Sequence, residues 1–202
     1  MTLLKRALEA RKLELGEGEG LEEGFTLIEL MVVLLIIAIL LAIAIPTFLG
    51  VTGGANDRSA QSNLNTALTT AKGAGTQNGQ SYNTAGGGSV NIDVASLSAN
   101  EPSIKFVGGP ATGTGQVSVQ FSADGNGVVL AALSKPTNTC WFAQDNLSPV
   151  TADAAGAYSV ASTPLAAGTN YAHVKPAGAT PVTCDATNAA SFTAGIVWGP
   201  HF

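Results

Sequence analysis

Apolar positions divide this chain into three regimes. From Phe25 to Ile45 they are continuous, interrupted by one acid, Glu29. As a helix these 21 residues would extend about 31 Å, enough to cross a hydrocarbon core of ~30 Å. Pro46, Gly50, Gly53 and Gly54 then fall within nine residues. Proline removes a backbone donor and glycine is a poor helix former, so the helix either ends here or has a weak point that extends when the subunit packs. Ala60, Leu64, Ala67, Leu68 and Ala71 recur at i, i+4, i+7, i+8 and i+11, one face of a helix. Asn56 or Asp57 could cap that piece and Gly73 would stop it. The reading is one long, interrupted helix over 25–72.

Beyond a Gly-rich connection at 73–89 the period falls to two. Val90, Ile92 and Val94 alternate, as do Val117, Val119 and Phe121, each predicting a half-buried strand. SADGNG at 122–127 carries Asp-Gly and Asn-Gly, which suit a hairpin because such turns need positive φ, and it leads into GVVLAAL. TCWFA at 139–143 is a third candidate, and YSVAS, YAHV and FTAGIVW are shorter ones separated by prolines. A helix covering one face of an antiparallel sheet is the natural two-layer solution, an α+β fold. At the other end, MTLLKRALEARKLEL at 1–15 reads either as an amphipathic helix lying on a membrane surface or as a solvated tail.

Composition narrows the setting. Charged residues are only 11%, and 24 Gly and 9 Pro accompany abundant Ser, Thr and Asn, as in a secreted surface protein. No basic face or stripe marks a nucleic-acid partner. Arg6, Arg11 and Lys12 precede the apolar run while Arg58 alone flanks its far side, which places the N-terminus in the cytoplasm and exports the C-terminal 150 residues. Cys140 and Cys184 in an exported domain suggest a disulfide; two free buried thiols are the alternative. A metal site is disfavoured, since His173 and His201 have no ligand-like spacing to either cysteine. Asp124 and Asn126 alternate as in a calcium loop, but the further acids are missing.

The apolar run admits three readings. A secretory signal peptide would use Ala42-Ile43-Ala44 as its cleavage site, yet both the apolar stretch and the residues before it are long for one. A plain anchor explains length and orientation, but not Glu29, because an acid in hydrocarbon is costly and usually functional. The third reading cuts the chain between Gly24 and Phe25. The new amine at Phe25 then lies one helical turn from Glu29 and can pair with it, within one chain or between neighbours.

GFTLIEL at 24–30 resembles the class III signal of type IV pilins and of the related pseudopilins of secretion systems. The resemblance covers residues 24 to about 50. It implies cleavage after Gly24 by a prepilin peptidase, N-methylation of Phe25, and a Glu29 that guides filament assembly; Pro46 stands where many pilins carry a helix-kinking proline. It also implies a pilin-like fold, with a long N-terminal helix packed on a sheet-containing head. The leader departs from the pattern, being 24 residues long and ending in acidic GEGEGLEEG.

The expected organisation is a cleaved cytoplasmic leader at 1–24, a helix at 25–72 that spans the inner membrane over 25–45, and an exported β-rich head at 73–202. No catalytic set, cofactor motif or metal site is expected. Serines lie in no nucleophile elbow, and the GEGEG of the leader follows no strand. His173 reads as a strand-surface side chain, Trp141 as packing around the disulfide, and Trp198 as closing the core or an interface. The sequon at Asn146 carries little weight. The expected function is a structural pilin. It would be stored in the inner membrane, processed by the peptidase, and polymerised with identical copies by the pilus machinery into an extracellular filament for attachment, motility or DNA uptake. The alternatives are a minor pilin or pseudopilin, and a monomeric anchored binding domain.

Overall fold

The structure, a computed structural model, describes residues 24–135, 137–151, 158, 165–175, 183–187 and 196–202. The expected leader helix, YSVAS beyond Tyr158 and the start of FTAGIVW lie outside the described residues. Two compact units are present, one ending at Thr47 and one spanning Phe48–Phe202.

Helix α1, Leu27–Gln77, runs through Pro46 and the three glycines expected to weaken it, Gly50, Gly53 and Gly54. Side chains near the proline donate to helix carbonyls: Thr47 Oγ1 to Ala44 O at 2.9 Å and Ile43 O at 3.2 Å, then Thr52 Oγ1 to Leu49 O at 3.0 Å. The second helical piece has no start of its own. Asn56, expected as a cap, donates to Thr52 O at 2.7 Å inside the helix, and Asp57 reaches out to the sheet. Nor does Gly73 stop α1, which ends four residues later. There Gly79 and Gln80 adopt positive φ, and the Ser81 N–H returns to Gly75 O at 3.1 Å, satisfying a terminal carbonyl.

Five strands form the sheet of the second unit, in the order β1 (Lys105–Val107), β2 (Gln116–Phe121), β3 (Gly127–Ser134), β4 (Thr139–Asn146) and β5 (Gly168–Val174). All pairings are antiparallel except β1–β2. The hairpin at 122–127 forms as the sequence predicts, with Gly125 at φ +75°. Strands β3 and β4 are buried on both faces, which is why GVVLAAL and TCWFA read as apolar runs without alternation. One face meets α1, where Ala60, Leu64, Ala67, Leu68 and Ala71 pack on Val117, Val119, Val128, Leu130 and Ala143. On the other, Val129, Phe142 and Ala172 pack with Val150, Tyr158 and Cys184.

The strand expected at 90–94 is absent. Val90 is exposed, and its backbone is held instead by Asn78, whose amide accepts from Ser89 N and Val90 N and donates to Val90 O. Ile92 is buried, and Asp93 starts helix α2 (Val94–Asn100) with a reciprocal capping box to Ser96. Two apolar residues spaced by two were thus a docked loop followed by a helix start. The short strand β1 went unread because three residues carry too little pattern to be recognised.

Close contacts and one buried ion pair join α1 to the sheet. Gly53 is buried, and a Cβ there would meet Thr137 Cγ2 at 3.3 Å. Thr137 also donates to Asp57 at 2.6 Å. Burial raises the Asp57 pKa, but hydrogen bonds from Thr137, Ser134 and Trp141 outweigh it and hold the carboxyl below its ordinary range. Further along, Gly75 leaves no room for a methyl, since a Cβ would lie 2.8 Å from Tyr82 Cε1. Lys72 Nζ sits 2.9 Å from Asp145 Oδ1, a carboxylate that also accepts from Thr169 Oγ1 at 2.6 Å. The Asp145 side chain is 5% exposed and that of Lys72 40%. Losing one partner of a fully buried pair costs ~3–5 kcal/mol, and the exposure of Lys72 lowers the expectation for Lys72→Met to about 2 kcal/mol. Urea unfolding of the detergent-solubilised chain measures this, and an unchanged midpoint would refute it.

Candidate functional site at the start of the helix

The residues singled out at 24–29 lie at the N-terminus of α1. Phe25 is 88% exposed, and the helix begins at Leu27. Thr26 and Glu29 form a reciprocal cap. The Glu29 carboxylate accepts from the Thr26 backbone N–H at 2.9 Å and from its hydroxyl at 2.7 Å, while the Glu29 N–H donates to Thr26 Oγ1 at 3.3 Å. This is a Thr-x-x-Glu capping box, in which side chains satisfy helix-terminal donors that have no intrahelical partner. Its signature stood in TLIE, but the pairing of Glu29 with an amine drew all attention to the charge. The carboxylate therefore already has a role in the uncut chain, that of starting the helix one residue after Thr26.

Downstream of the box, the described apolar side chains of the first unit are exposed. Leu27, Ile28, Met31, Leu35, Leu40 and Ile43 are among the many apolar residues left at least 45% exposed there. An 18-residue window reaches a mean hydropathy of 3.2 with nothing buried, so α1 is long and apolar enough to cross a membrane. A surface of this kind is stable only against lipid or against other protein.

The remaining predicted residues lie in the second unit. Cys140 and Cys184 are disulfide-bonded. Trp141 does not pack around that bond. Adjacent strand residues point to opposite faces, so Cys140 joins the far face while Trp141 turns toward α1. The Trp141 ring lies tilted over His173 at 4.8 Å and meets Phe202 edge to face at 5.6 Å, and its Nε1 donates to Asp57 at 3.5 Å. His173 is exposed on β5, and Trp198 packs with Phe142 on the disulfide side. Asn146 of the sequon is 2% exposed and donates to Ala166 O, which leaves it inaccessible to modification. Both Asp124 oxygens accept hydrogen bonds within the hairpin region, from Ser122, Asn126 and Thr151.

A long apolar helix whose second half packs on a five-stranded, mostly antiparallel sheet is a pilin-like α+β arrangement. Residues 21–45 match the family model of the prokaryotic N-terminal methylation motif. The chain thus carries, at the head of its apolar helix, the class III signal of type IV pilins. That motif marks a type IV pilin-like or pseudopilin protein, processed by a prepilin peptidase and anchored in the membrane as a precursor. Neither the comparison with curated proteins nor that with solved structures finds a match.

Proposed function

We propose that this chain is the structural subunit of a type IV pilus filament. The observation that carries the reading is one ionisable side chain, Glu29, placed one turn after Gly24–Phe25 at the head of an otherwise apolar and exposed helix. Residues 25–45 hold the precursor in the inner membrane with its N-terminus in the cytoplasm. Hydrolysis of the Gly24–Phe25 peptide bond releases the leader and leaves an amine at Phe25, which is then methylated. That amine is a counter-charge for Glu29, which forms no salt bridge among the described residues. Paired within the subunit or with the Glu29 of a neighbour, it sets the register in which helices bundle out of the bilayer. The face left bare in the first unit becomes the filament core, and the sheet-containing head becomes its surface.

Pro46, Gly50 and Gly54 supply the weak point at which α1 extends on packing. Gly53 has a separate reason to be glycine, namely the approach of Thr137. Filament yield separates a major subunit from a minor pilin or pseudopilin. Abundant sheared filaments whose protein begins with methylated Phe25 support the major role; a scarce or membrane-retained product points to the minor one. Changing Gly24 to Leu places a bulky side chain at the cut, and the uncut precursor should then accumulate almost completely. Immunoblotting for the size of the membrane form reads this directly, and processing at the normal rate would place the cut elsewhere.

A further inference from the structure

Most of the cations of residues 48–202 gather at one end of the sheet. Strand register places Lys105, Lys135 and Lys175 at the same end. Lys105 begins β1 opposite Gln116, Lys135 follows β3 in the β3–β4 turn, and Lys175 follows Val174, which pairs with Cys140. Arg58 joins them from α1, since its neighbour Asp57 is hydrogen-bonded to Thr137 of that turn. These are four of the five Lys and Arg residues beyond position 47, and all four are exposed.

None of the four forms a salt bridge among the described residues. The acids at this end are already engaged, Asp57 by Thr137 and Trp141, and Glu101 by Ser103 Oγ at 2.6 Å. At the opposite end lie Asp124 in the β2–β3 turn and Asp145 across from Val128. Asp93 is at that end too, since Ile92 N bonds Tyr82 O and Tyr82 N bonds Gly125 O. The fifth cation, Lys72, is there as well, bound to Asp145.

The chain enters the second unit at this same end of the sheet, where Asp57 bonds Thr137. Gly53, against which Thr137 packs, follows Ile45 by eight residues, a reach of at most ~28 Å even if fully extended. A tether this short makes contact with a bilayer intramolecular, so weak attraction suffices. Among the described residues Asp57 and Glu101 lie at that end and remain carboxylates, so they offset part of the attraction.

We propose that the end bearing Arg58, Lys135 and Lys175 docks on anionic lipid headgroups of the bilayer holding residues 25–45. This inference rests on the membrane span proposed above. Each Lys or Arg near an anionic surface raises binding roughly fivefold, and the gain decays over a Debye length of ~8 Å at physiological salt. With Lys105 this end carries four cations against the carboxylates of Asp57 and Glu101, and the net two positive charges shift the docked-to-free ratio by about 25-fold. Docking would hold the stored subunit's head to the membrane until extraction into a filament breaks it.

The test uses the full precursor in vesicles and hydrogen exchange at the β3–β4 turn, residues 134–139. At low salt, exchange should be several-fold slower in vesicles containing phosphatidylglycerol than in purely phosphatidylcholine vesicles. The difference should vanish in 0.5 M sodium chloride and in the variant combining Arg58→Gln, Lys135→Gln and Lys175→Gln. Residues 122–127 at the acidic end should exchange equally in all cases. Equal exchange of the β3–β4 turn in the two vesicle types would overturn docking, and the salt arm needs no variant to fold. Protection that arises in neutral vesicles and grows with protein density would assign the surface to a second copy and also overturn it. A chain stripped from vesicles by alkaline carbonate would remove the span itself, whereas a retained but unprotected chain removes docking alone.

Discussion

Replacing Glu29 by Ala should leave cleavage near its normal rate and lower filament yield by roughly tenfold or more, because the amine released at Phe25 then has no carboxylate to register against. The capping box makes a second substitution informative. Glutamine at the third helical position still accepts from the Thr26 N–H and hydroxyl, so Glu29→Gln preserves the helix start that Glu29 builds in the uncut chain. It removes only the charge. If pairing with the Phe25 amine drives assembly, Glu29→Gln should be as defective as Glu29→Ala. Recovery of filaments by glutamine would show that the helix cap, and not the ion pair, is what assembly needs. Quantifying sheared filaments against membrane-retained subunit reads both variants, and N-terminal sequencing confirms that each was cut.

Removing the disulfide should produce the largest loss of head stability. Cys140 and Cys184 are separated by 44 positions, and closing a loop of that size restricts the unfolded chain by about 4 kcal/mol at 25 °C. Cys140 anchors one side of this link in β4, a strand buried on both faces. Cys184 joins the cluster on the face away from α1, and its carbonyl accepts from Ala111 N at 2.7 Å. The double change Cys140→Ser and Cys184→Ser keeps volume nearly constant while cutting the loop open. The urea midpoint of the solubilised chain should fall accordingly, with loss first of the packing around Phe142 and Trp198. Near-ultraviolet circular dichroism of the aromatic side chains follows that cluster, and an unchanged midpoint would mean the loop is held by its packing alone.

How much of this was legible beforehand follows from where each pattern gets its periodicity. The face Ala60, Leu64, Ala67, Leu68 and Ala71 was correct at every position, because a helix packed on one side leaves a 3.6-residue signature. Strand β2 and the hairpin after it were correct because alternation and glycine turn chemistry are local. The 90–94 segment failed for the same reason in reverse. Two apolar residues spaced by two are too short a pattern to separate a strand from a loop held by the Asn78 side chain and a helix start capped by Asp93. Trp141 was placed beside the disulfide from adjacency in sequence, whereas strand geometry sends adjacent side chains to opposite faces.

By itself the sequence determined the apolar helix, its single acid, the N-terminal methylation motif and the α+β class. Each of these rests on hydrophobicity, local spacing or a short motif. Only the tertiary structure decided that Gly53 and Gly75 are small because Thr137 and Tyr82 lie against them, and that Lys72 meets Asp145. It also placed Arg58, Lys105, Lys135 and Lys175 at one end of the sheet. Such facts depend on residues that are distant in the chain, or on side-chain direction, and no pattern along one chain encodes either.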